Sequence, residues 1–257
     1  MIMKYQSNQD RTAEYFKNFD REKILKSLVP EVQPVIFDVG ANLGQSLTEF
    51  KTIWNDSEIH CFEPQKECWD ILDEKQMMYA DGKVFINKFA IGKSTENNKN
   101  FYSHEVDNTK GTSGFNKINL ESLDSIRLNE LKTSEVAESD INSFKQTINH
   151  SRKVDVKRAD DYIADINLKK INLLKIDTQG HEPEVLEGFG ASLANVDVII
   201  TELMFYDYYE KSLNFSDIEK FLLPAGFQLY DINHIAKNPM NGRTDWVDVI
   251  YLNNRCR

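Results

Sequence analysis

Cysteine is scarce in this chain. There are three in 257 residues (Cys61, Cys68, Cys256), an odd number without the spacing that holds a structural zinc. That excludes a disulfide framework and leads us to expect a reducing, cytoplasmic compartment. Positive charge is the minority: 31 Lys and Arg stand against 41 Asp and Glu, a formal net charge of −10. Such a balance opposes general binding to nucleic acid, which needs a basic surface, although a local basic patch stays compatible with it. Long apolar runs are missing too. A bilayer span takes ~20 apolar residues, and the best stretch, Val196 to Phe205, is broken by Asp197 and Glu202. The first residues, Met1-Ile-Met-Lys-Tyr-Gln-Ser7, lack the apolar core of a signal peptide. No internal repeat is evident. What remains is the composition of an ordinary globular chain, 40% hydrophobic and 28% charged, long enough for one large α/β domain or two small ones.

The densest signal is Val35-Ile-Phe-Asp38-Val-Gly40-Ala-Asn42-Leu-Gly44. Apart from Asp38 it reads as a strand covered on both faces, followed by a glycine turn and a helix start. Gly40 lets the chain turn and lets a ligand approach bare backbone, while Gly44 allows close packing where the next helix begins. A second strand, Ile59 to Phe62, ends in Glu63, about 20 residues beyond the glycine turn, where an acid can bond both hydroxyls of a ribose. Pro64 suits the first position of the following helix. A dinucleotide fingerprint has a middle glycine that makes room for a pyrophosphate, and Ala41-Asn42 stand in its place. The pattern therefore fits a nucleoside without phosphate, and S-adenosylmethionine is that kind of donor. On this reading Glu63 binds the ribose, Asp38 and Gly40 surround the methionine portion, and Asn42 and Gly44 shape the turn. Ala90 and Ile91 line the adenine pocket; Asn87, at a strand end, is as readily a simple turn former.

From Val35 onward strands and helices alternate. Strands are expected at Val35–Val39, Glu58–Phe62, Val84–Ala90, Leu173–Ile176, Val196–Glu202, Gln228–Ile232 and Val247–Leu252. Helices are expected near Gln45–Trp54, Gln65–Lys75, Pro183–Gly188 and Ser216–Leu223. This rhythm implies an α/β fold with a mainly parallel sheet and helices on both faces. Two segments stand apart. Residues 1–32 form a helical extension whose apolar face (Tyr15, Phe16, Phe19, Ile24, Leu25, Leu28) is expected to pack on the sheet edge rather than act as a substrate lid. Residues 33–257 form the main domain, interrupted by a polar insert at about 93–153. The insert offers a short strand at Phe101-Tyr102, a loop at Gly111–Gly114, and helical faces carrying Leu120, Leu123, Ile126, Leu131, Val136, Phe144 and Ile148. An excursion this long between core strands is uncommon, and a cap over the active site is the expectation.

A second cluster, Leu173-Leu-Lys175-Ile-Asp177-Thr-Gln179-Gly-His181-Glu182-Pro-Glu184-Val-Leu-Glu-Gly188, ends another buried strand in an acid. Asp177, in the crevice beside the first strand, is a functional candidate. Glu182 and Glu184 are equally well explained as acids at a helix N-terminus. With these residues in hand, the chain resembles the FkbM-type S-adenosylmethionine-dependent methyltransferases. Asp38-Val-Gly-Ala-Asn-Leu-Gly44, Phe62-Glu63-Pro64, Ala90-Ile91-Gly92, Lys175-Ile-Asp-Thr-Gln-Gly-His-Glu182 and Val185-Leu-Glu-Gly188 match that family's signatures in order, over about residues 33–205. The first of these is shared by many methyltransferases; the Lys-Ile-Asp-x-x-Gly-x-Glu pattern is more specific. Gln179 departs from it, since relatives commonly carry an acid there. The resemblance implies a Rossmann-like class I methyltransferase fold of seven strands, six parallel and the last antiparallel. It also implies O-methylation, often of a sugar hydroxyl in a surface glycan or natural product.

A sugar hydroxyl is a poor nucleophile and needs its proton removed or its oxygen polarised. Two arrangements are open. In one, His181 is the general base and Asp177 orients it or the acceptor. In the other, Asp177 and Glu202, at the ends of neighbouring strands, hold Mg²⁺ or Mn²⁺. The remaining histidines (His60, His104, His150, His234) show no ligand spacing. The aromatics Phe205, Tyr206, Tyr208 and Tyr209 either stack on a sugar ring or pack beneath the insert, the latter being slightly favoured; Trp246 is expected in the core. Competing readings are a binding or assembly protein that keeps the fold without catalysis, an NAD-dependent oxidoreductase, and, more weakly, a nucleic-acid methyltransferase.

Overall fold

The computed structural model describes residues 7–79, 82–103, 111–120, 122, 146, 148–239 and 241–256. The expected helical positions Leu123, Ile126, Leu131, Val136 and Phe144, and also His104, lie outside the described residues.

Two helices, α1 (Asn8–Asn18) and α2 (Arg21–Leu28), precede the sheet. The first thirty residues are thus split, because Asp20 accepts a hydrogen bond from the Lys23 amide and starts a second helix. The chain then runs through β1 (Val35–Val39), α3 (Gln45–Ile53), β2 (Glu58–Phe62), α4 (Lys66–Met78) and β3 (Val84–Asn87). It continues with β4 (Ala90–Ile91), β5 (Glu96–Ser103), β6 (His150–Lys157), α5 (Ala159–Asp165), β7 (Ile171–Ile176) and α6 (Glu182–Phe189). It closes with β8 (Val196–Met204), α7 (Phe215–Leu222), β9 (Phe227–Lys237) and β10 (Thr244–Asn253).

The main sheet has seven strands in the order β3-β2-β1-β7-β8-β10-β9. All pairings from β3 to β8 are parallel, and β10 is antiparallel to both neighbours. This is the arrangement the resemblance implies. Side chains alternate between two buried layers. Ile36, Ile59, Leu173, Val198 and Ile200 face α2, α3 and α4 through Leu25, Leu47, Phe50 and Leu72. Phe37, Phe62, Leu174, Ile176 and Ile199 face α5, α6 and α7 through Tyr162, Phe189 and Leu222. The expectation that the N-terminal helix packs on the sheet edge is therefore corrected: α2 lies on a sheet face with α3, and Ile24, Leu25 and Val29 are part of that core. Tyr15 and Phe19, read as the same apolar face, are exposed.

The expected strand Val84–Ala90 is two. Asn87 bonds the Cys61 carbonyl with its side chain at 3.1 Å as β3 ends. The chain then leaves the main sheet, and Ala90–Ile91 pairs in parallel with β6 in a second, three-stranded sheet of order β4-β6-β5. Much of the described insert is this small sheet. β6 escapes periodicity because only Val154 and Val156 of its eight residues are buried. α5 was likewise absent from the expected elements.

The strand order reverses at β1, with β2 on one side and β7 on the other. A crevice at the strand C-termini opens at such a switch point, and ligands of open α/β sheets bind there.

Candidate functional site

The turn after β1 is knitted to the end of β2. The Gly40 and Ala41 amides both donate to the Phe62 carbonyl, at 3.0 and 3.1 Å. Gly40 has φ +85°, and a Cβ built on it would lie 1.9 Å from the Asp177 carbonyl oxygen. Glycine is required there first for the crossing of two backbones, and only then for a ligand. Asn42 sits in the left-handed region at φ +48°, which asparagine tolerates better than most residues. Its amide donates to Glu63 Oε2 at 2.8 Å, and the Gln65 amide donates to Oε1 at 2.8 Å. Glu63 is thus clamped by two loops. Burial pushes its carboxyl up to about 7, while the two amides pull the other way. Pro64 lies ahead of α4, whose N-cap is Gln65, and is not its first helical residue.

The other side of the crevice is the end of β7. The Asp177 amide donates to the Val39 carbonyl at 2.9 Å. Its carboxylate accepts from Gln179 Nε2 at 2.8 Å and lies 3.3 Å from Lys175 Nζ. The same ammonium is 3.5 Å from Asp38 Oδ1. Burial opposes the charge on Lys175, but the carboxylates of Asp177 and Asp38 outweigh it and hold its pKa above the ordinary value. Asp38 is fully buried, and burial raises its carboxyl while Lys175 restrains the rise. Glu182 explains the more specific part of the second cluster. Its Oε1 accepts from the Thr178 amide at 2.8 Å and the Thr178 hydroxyl at 3.0 Å, so it closes the turn that carries Asp177. Burial pushes Glu182 up to about 7, against those hydrogen bonds.

Between the two sides lies a cavity of 580 Å³, its open mouth included. Gly40, Asn42, Glu63, Ala90, Ile91 and Asp177 line it, so six of the residues singled out in the sequence converge on one space. Phe62, Ala90 and Ile91 supply an apolar wall. Phe101 and Phe115, edge to face at 5.2 Å, face it from the insert, with Gly111 and Ser113 beside them. The strap 111–120 is tied down on both sides: the Tyr102 and Gly114 backbones pair, and Ile118 bridges to Tyr209.

Four singled-out residues do not line the cavity. Asp38 is beneath the turn, fully buried and paired with Lys175. Gly44 is the N-cap of α3, at φ +74°, and its carbonyl accepts from Lys75 Nζ at 2.7 Å. His181 is buried behind Phe115, with ring centroids 4.3 Å apart. Burial, then the charges of Lys99, Lys211 and Lys93, lower its pKa to about 3, which suits a packed neutral ring better than a proton acceptor. Glu202 is next to Asp177 by register, since Ile176 pairs with Thr201, but it stands outside the cavity wall. Burial, followed by the charge of Asp177, raises the Glu202 carboxyl well above its usual range. Among the described residues no three His, Cys, Asp or Glu side chains gather so as to hold a metal ion. The pair Asp177 and Glu202 falls short of a donor set, and Asp177 already has Lys175 beside it.

The aromatic run packs. Tyr206, Tyr208 and Tyr209 form a buried cluster with Ile118 and Ile148, and Trp246 lies against it. His60 is locked between Tyr162 at 2.8 Å and Glu58 at 2.9 Å. Sequence reasoning gave Lys175 and Phe115 no role, placed Phe101 only in a short strand and Ser113 only in a loop, and read Tyr209 as stacking on a sugar or packing beneath the insert, without its tie to Gln179. Lys175 alone carried a signal, a cation inside an otherwise apolar strand.

A family model described as a methyltransferase FkbM domain matches residues 38–229. A curated relative, Methyltransferase 1 of Beauveria bassiana (strain ARSEF 2860), is 26% identical over 171 residues, and the match spans 65% of this chain and 64% of that protein. Among solved structures, methyltransferase FkbM from Methylobacillus flagellatus KT superposes with a TM-score of 0.51 at 14% identity, over 86% of this chain and 44% of that one. That likeness concerns the fold alone, and with the strand order above it makes the fold Rossmann-like of the class I methyltransferase type. The family match begins at Asp38 and takes in every residue of the cavity wall from Gly40 to Gln179, and the chain belongs to the FkbM methyltransferase domain family.

Proposed function

We propose that the protein is an S-adenosylmethionine-dependent methyltransferase that methylates an oxygen, in particular a sugar hydroxyl of a surface glycan or another glycosylated natural product. One observation carries the donor half of this reading. A buried carboxylate at the end of β2, a glycine turn after β1 and an apolar wall at β4 line one cavity at the switch point of the sheet. That lining matches a nucleoside joined to an amino acid: Glu63 for the ribose hydroxyls, Phe62, Ala90 and Ile91 for the base, and Gly40, Asn42 and Asp177 for the polar end. The donor supplies an electrophilic methyl on a sulfonium, whose departure needs no acid. The protein's work is to align the acceptor and keep water out.

Asp177, at the cavity edge nearest β8, orients the acceptor hydroxyl. The same carboxylate is the group on the cavity wall that takes the hydroxyl proton as the new carbon–oxygen bond forms, with Glu202 beside it by strand register but outside the wall. His181 is assigned to the wall behind Phe115. The strap 111–120 caps the cavity, with Phe101 and Phe115 excluding solvent from it. The sugar acceptor rests on the family resemblance.

Calorimetric titration with S-adenosylhomocysteine tests the donor site. The wild-type protein is expected to bind, and Glu63→Ala to weaken binding by roughly tenfold or more, since two hydrogen bonds to a charged group are lost. No binding by the wild type, or unchanged affinity in the variant, overturns the reading. Transfer of labelled methyl to a panel of glycans then tests the acceptor class.

A further inference from the structure

We propose that Gln179 is a positioning residue that orients the Asp177 carboxylate and latches it to the strap over the cavity. The inference rests on the donor-site reading above, but its first observable does not depend on it. Gln179 Nε2 donates to Asp177 Oδ1 at 2.8 Å. A carboxylate oxygen accepts, so the amide nitrogen faces Asp177 and the amide oxygen faces the other way. There Oε1 lies 2.8 Å from the Tyr209 hydroxyl. The same hydroxyl is 2.8 Å from the Thr112 carbonyl of the strap. It has one proton and serves the two oxygens in turn, so Tyr209 holds the strap and Gln179 from a single point. The strap also touches Gln179 through its main chain: Asn116 Nδ2 donates to the Gln179 carbonyl at 3.4 Å. Gln179 itself sits at φ +56°, a conformation disfavoured for its type.

The two jobs need different chemistry at the two ends of one side chain, a donor toward Asp177 and an acceptor toward Tyr209. A primary amide does both without charge. An acid of the same length does both only while protonated. Once it loses that proton it has no donor, and it faces Asp177 as a like charge.

The Gln179→Glu variant would therefore carry a titratable copy of the latch. Asp177 is faced by Lys175 on its own strand, Asp38 on β1 through that lysine, Glu202 on β8, Asp248 on β10, Glu182 on α6, and Tyr209. All of these are the same in wild type and variant, so a difference profile cancels them. Two carboxyls at hydrogen-bond distance share one proton at low pH and repel when it leaves. The folded variant binds that proton more tightly than the unfolded chain, so its stability relative to wild type falls as pH rises.

The experiment is the melting temperature of Gln179→Glu minus that of wild type, followed from about pH 5.5 to about pH 8. The expected difference is near zero at the acid end and about −3 °C at the alkaline end. In an Asp177→Asn background the pH dependence is expected to vanish, because the amide placed on β7 by that change can donate to the ionised carboxylate of the latch. A pH-independent loss, or a profile unchanged by Asp177→Asn, overturns the proposal, since a purely structural role for Gln179 gives one or the other. A second arm measures affinity for S-adenosylhomocysteine. Gln179→Glu is expected to bind about tenfold more weakly than wild type at the alkaline end and equally at the acid end, a change of about 1.4 kcal/mol. Equal affinity at both ends rejects the link from latch to cavity. Failure of the wild type to bind at all rejects the donor-site reading and leaves the melting profile to judge the Gln179–Asp177 pair.

Discussion

At the scale of single residues, the site is organised around charges taken out of water. Lys175 is the cation between Asp38 and Asp177, at 3.5 and 3.3 Å, and Asp38 is entirely enclosed. Breaking such a pair costs more than forming it contributes, because the remaining carboxylate is left uncompensated. Lys175→Met is expected to lower unfolding free energy by about 3–5 kcal/mol, measured by urea denaturation, and a second change, Asp38→Asn, to recover part of the loss. A Lys175→Met protein as stable as wild type contradicts this account. The two acids that line the cavity were legible beforehand, since Glu63 and Asp177 each end an apolar strand. The partners of Asp177 were not. Gln179 and Tyr209 meet across 30 positions of chain, and nothing in local pattern announces a pair of that kind.

At the scale of elements, helix propensity and tertiary packing disagree at one position. Gly188 lies in the last turn of α6, where alanine is intrinsically the better helix former by roughly 1 kcal/mol. Yet a Cβ built there lies 2.2 Å from the Gly92 carbonyl oxygen, because α6 rests directly on the backbone leaving β4. Backbone cannot yield as a side chain can. Gly188→Ala is therefore expected to destabilise by about 2–4 kcal/mol, read as a lower urea midpoint; a stabilised variant would show that propensity wins. Among the elements that periodicity found, β1, β2, β7 and β8 are mostly buried strands with apolar runs, and parts of β9 and β10 were also expected. β6, and β5 apart from the expected Phe101-Tyr102, escaped it because few of their residues are buried, and α5 because it is only seven residues long, although Ala159, Tyr162 and Ile163 pack in the main core. The division of β3 from β4 depends on which strand the next residues pair with, a choice made only once β6 is present.

At the scale of the whole molecule, buried titratable groups set the pH range of stability. Burial holds Glu63 and Glu182 at about 7, and the Glu202 carboxyl also above its usual range. The folded chain keeps protons there that the unfolded chain has shed, so these groups favour the fold at mildly acid pH and cease to as pH rises through 7. Burial does the opposite at His60 and His181, which stay neutral in the fold while the unfolded chain takes up protons below the ordinary histidine value. The two trends bound a maximum on the acid side of neutrality. The melting temperature is expected to be higher near pH 6 than near pH 8, and Glu182→Gln, which cannot ionise, is expected to shrink the alkaline decline. A melting temperature that climbs steadily to pH 8 contradicts that balance.

The sequence by itself determined the alternation of strands and helices, the acids at strand ends and the glycine turn, because each is dictated within a few residues by periodicity, burial and backbone sterics. From these came the side of the cavity built by Gly40, Asn42 and Glu63. Only the tertiary structure decided which singled-out residues face that cavity and which support it. His181 and Asp38 went to the supporting side, and Phe101, Phe115 and the strap became the facing wall. The physical reason is that the direction a side chain points at a loop or strand end is set by what packs against it, and those neighbours come from segments far along the chain.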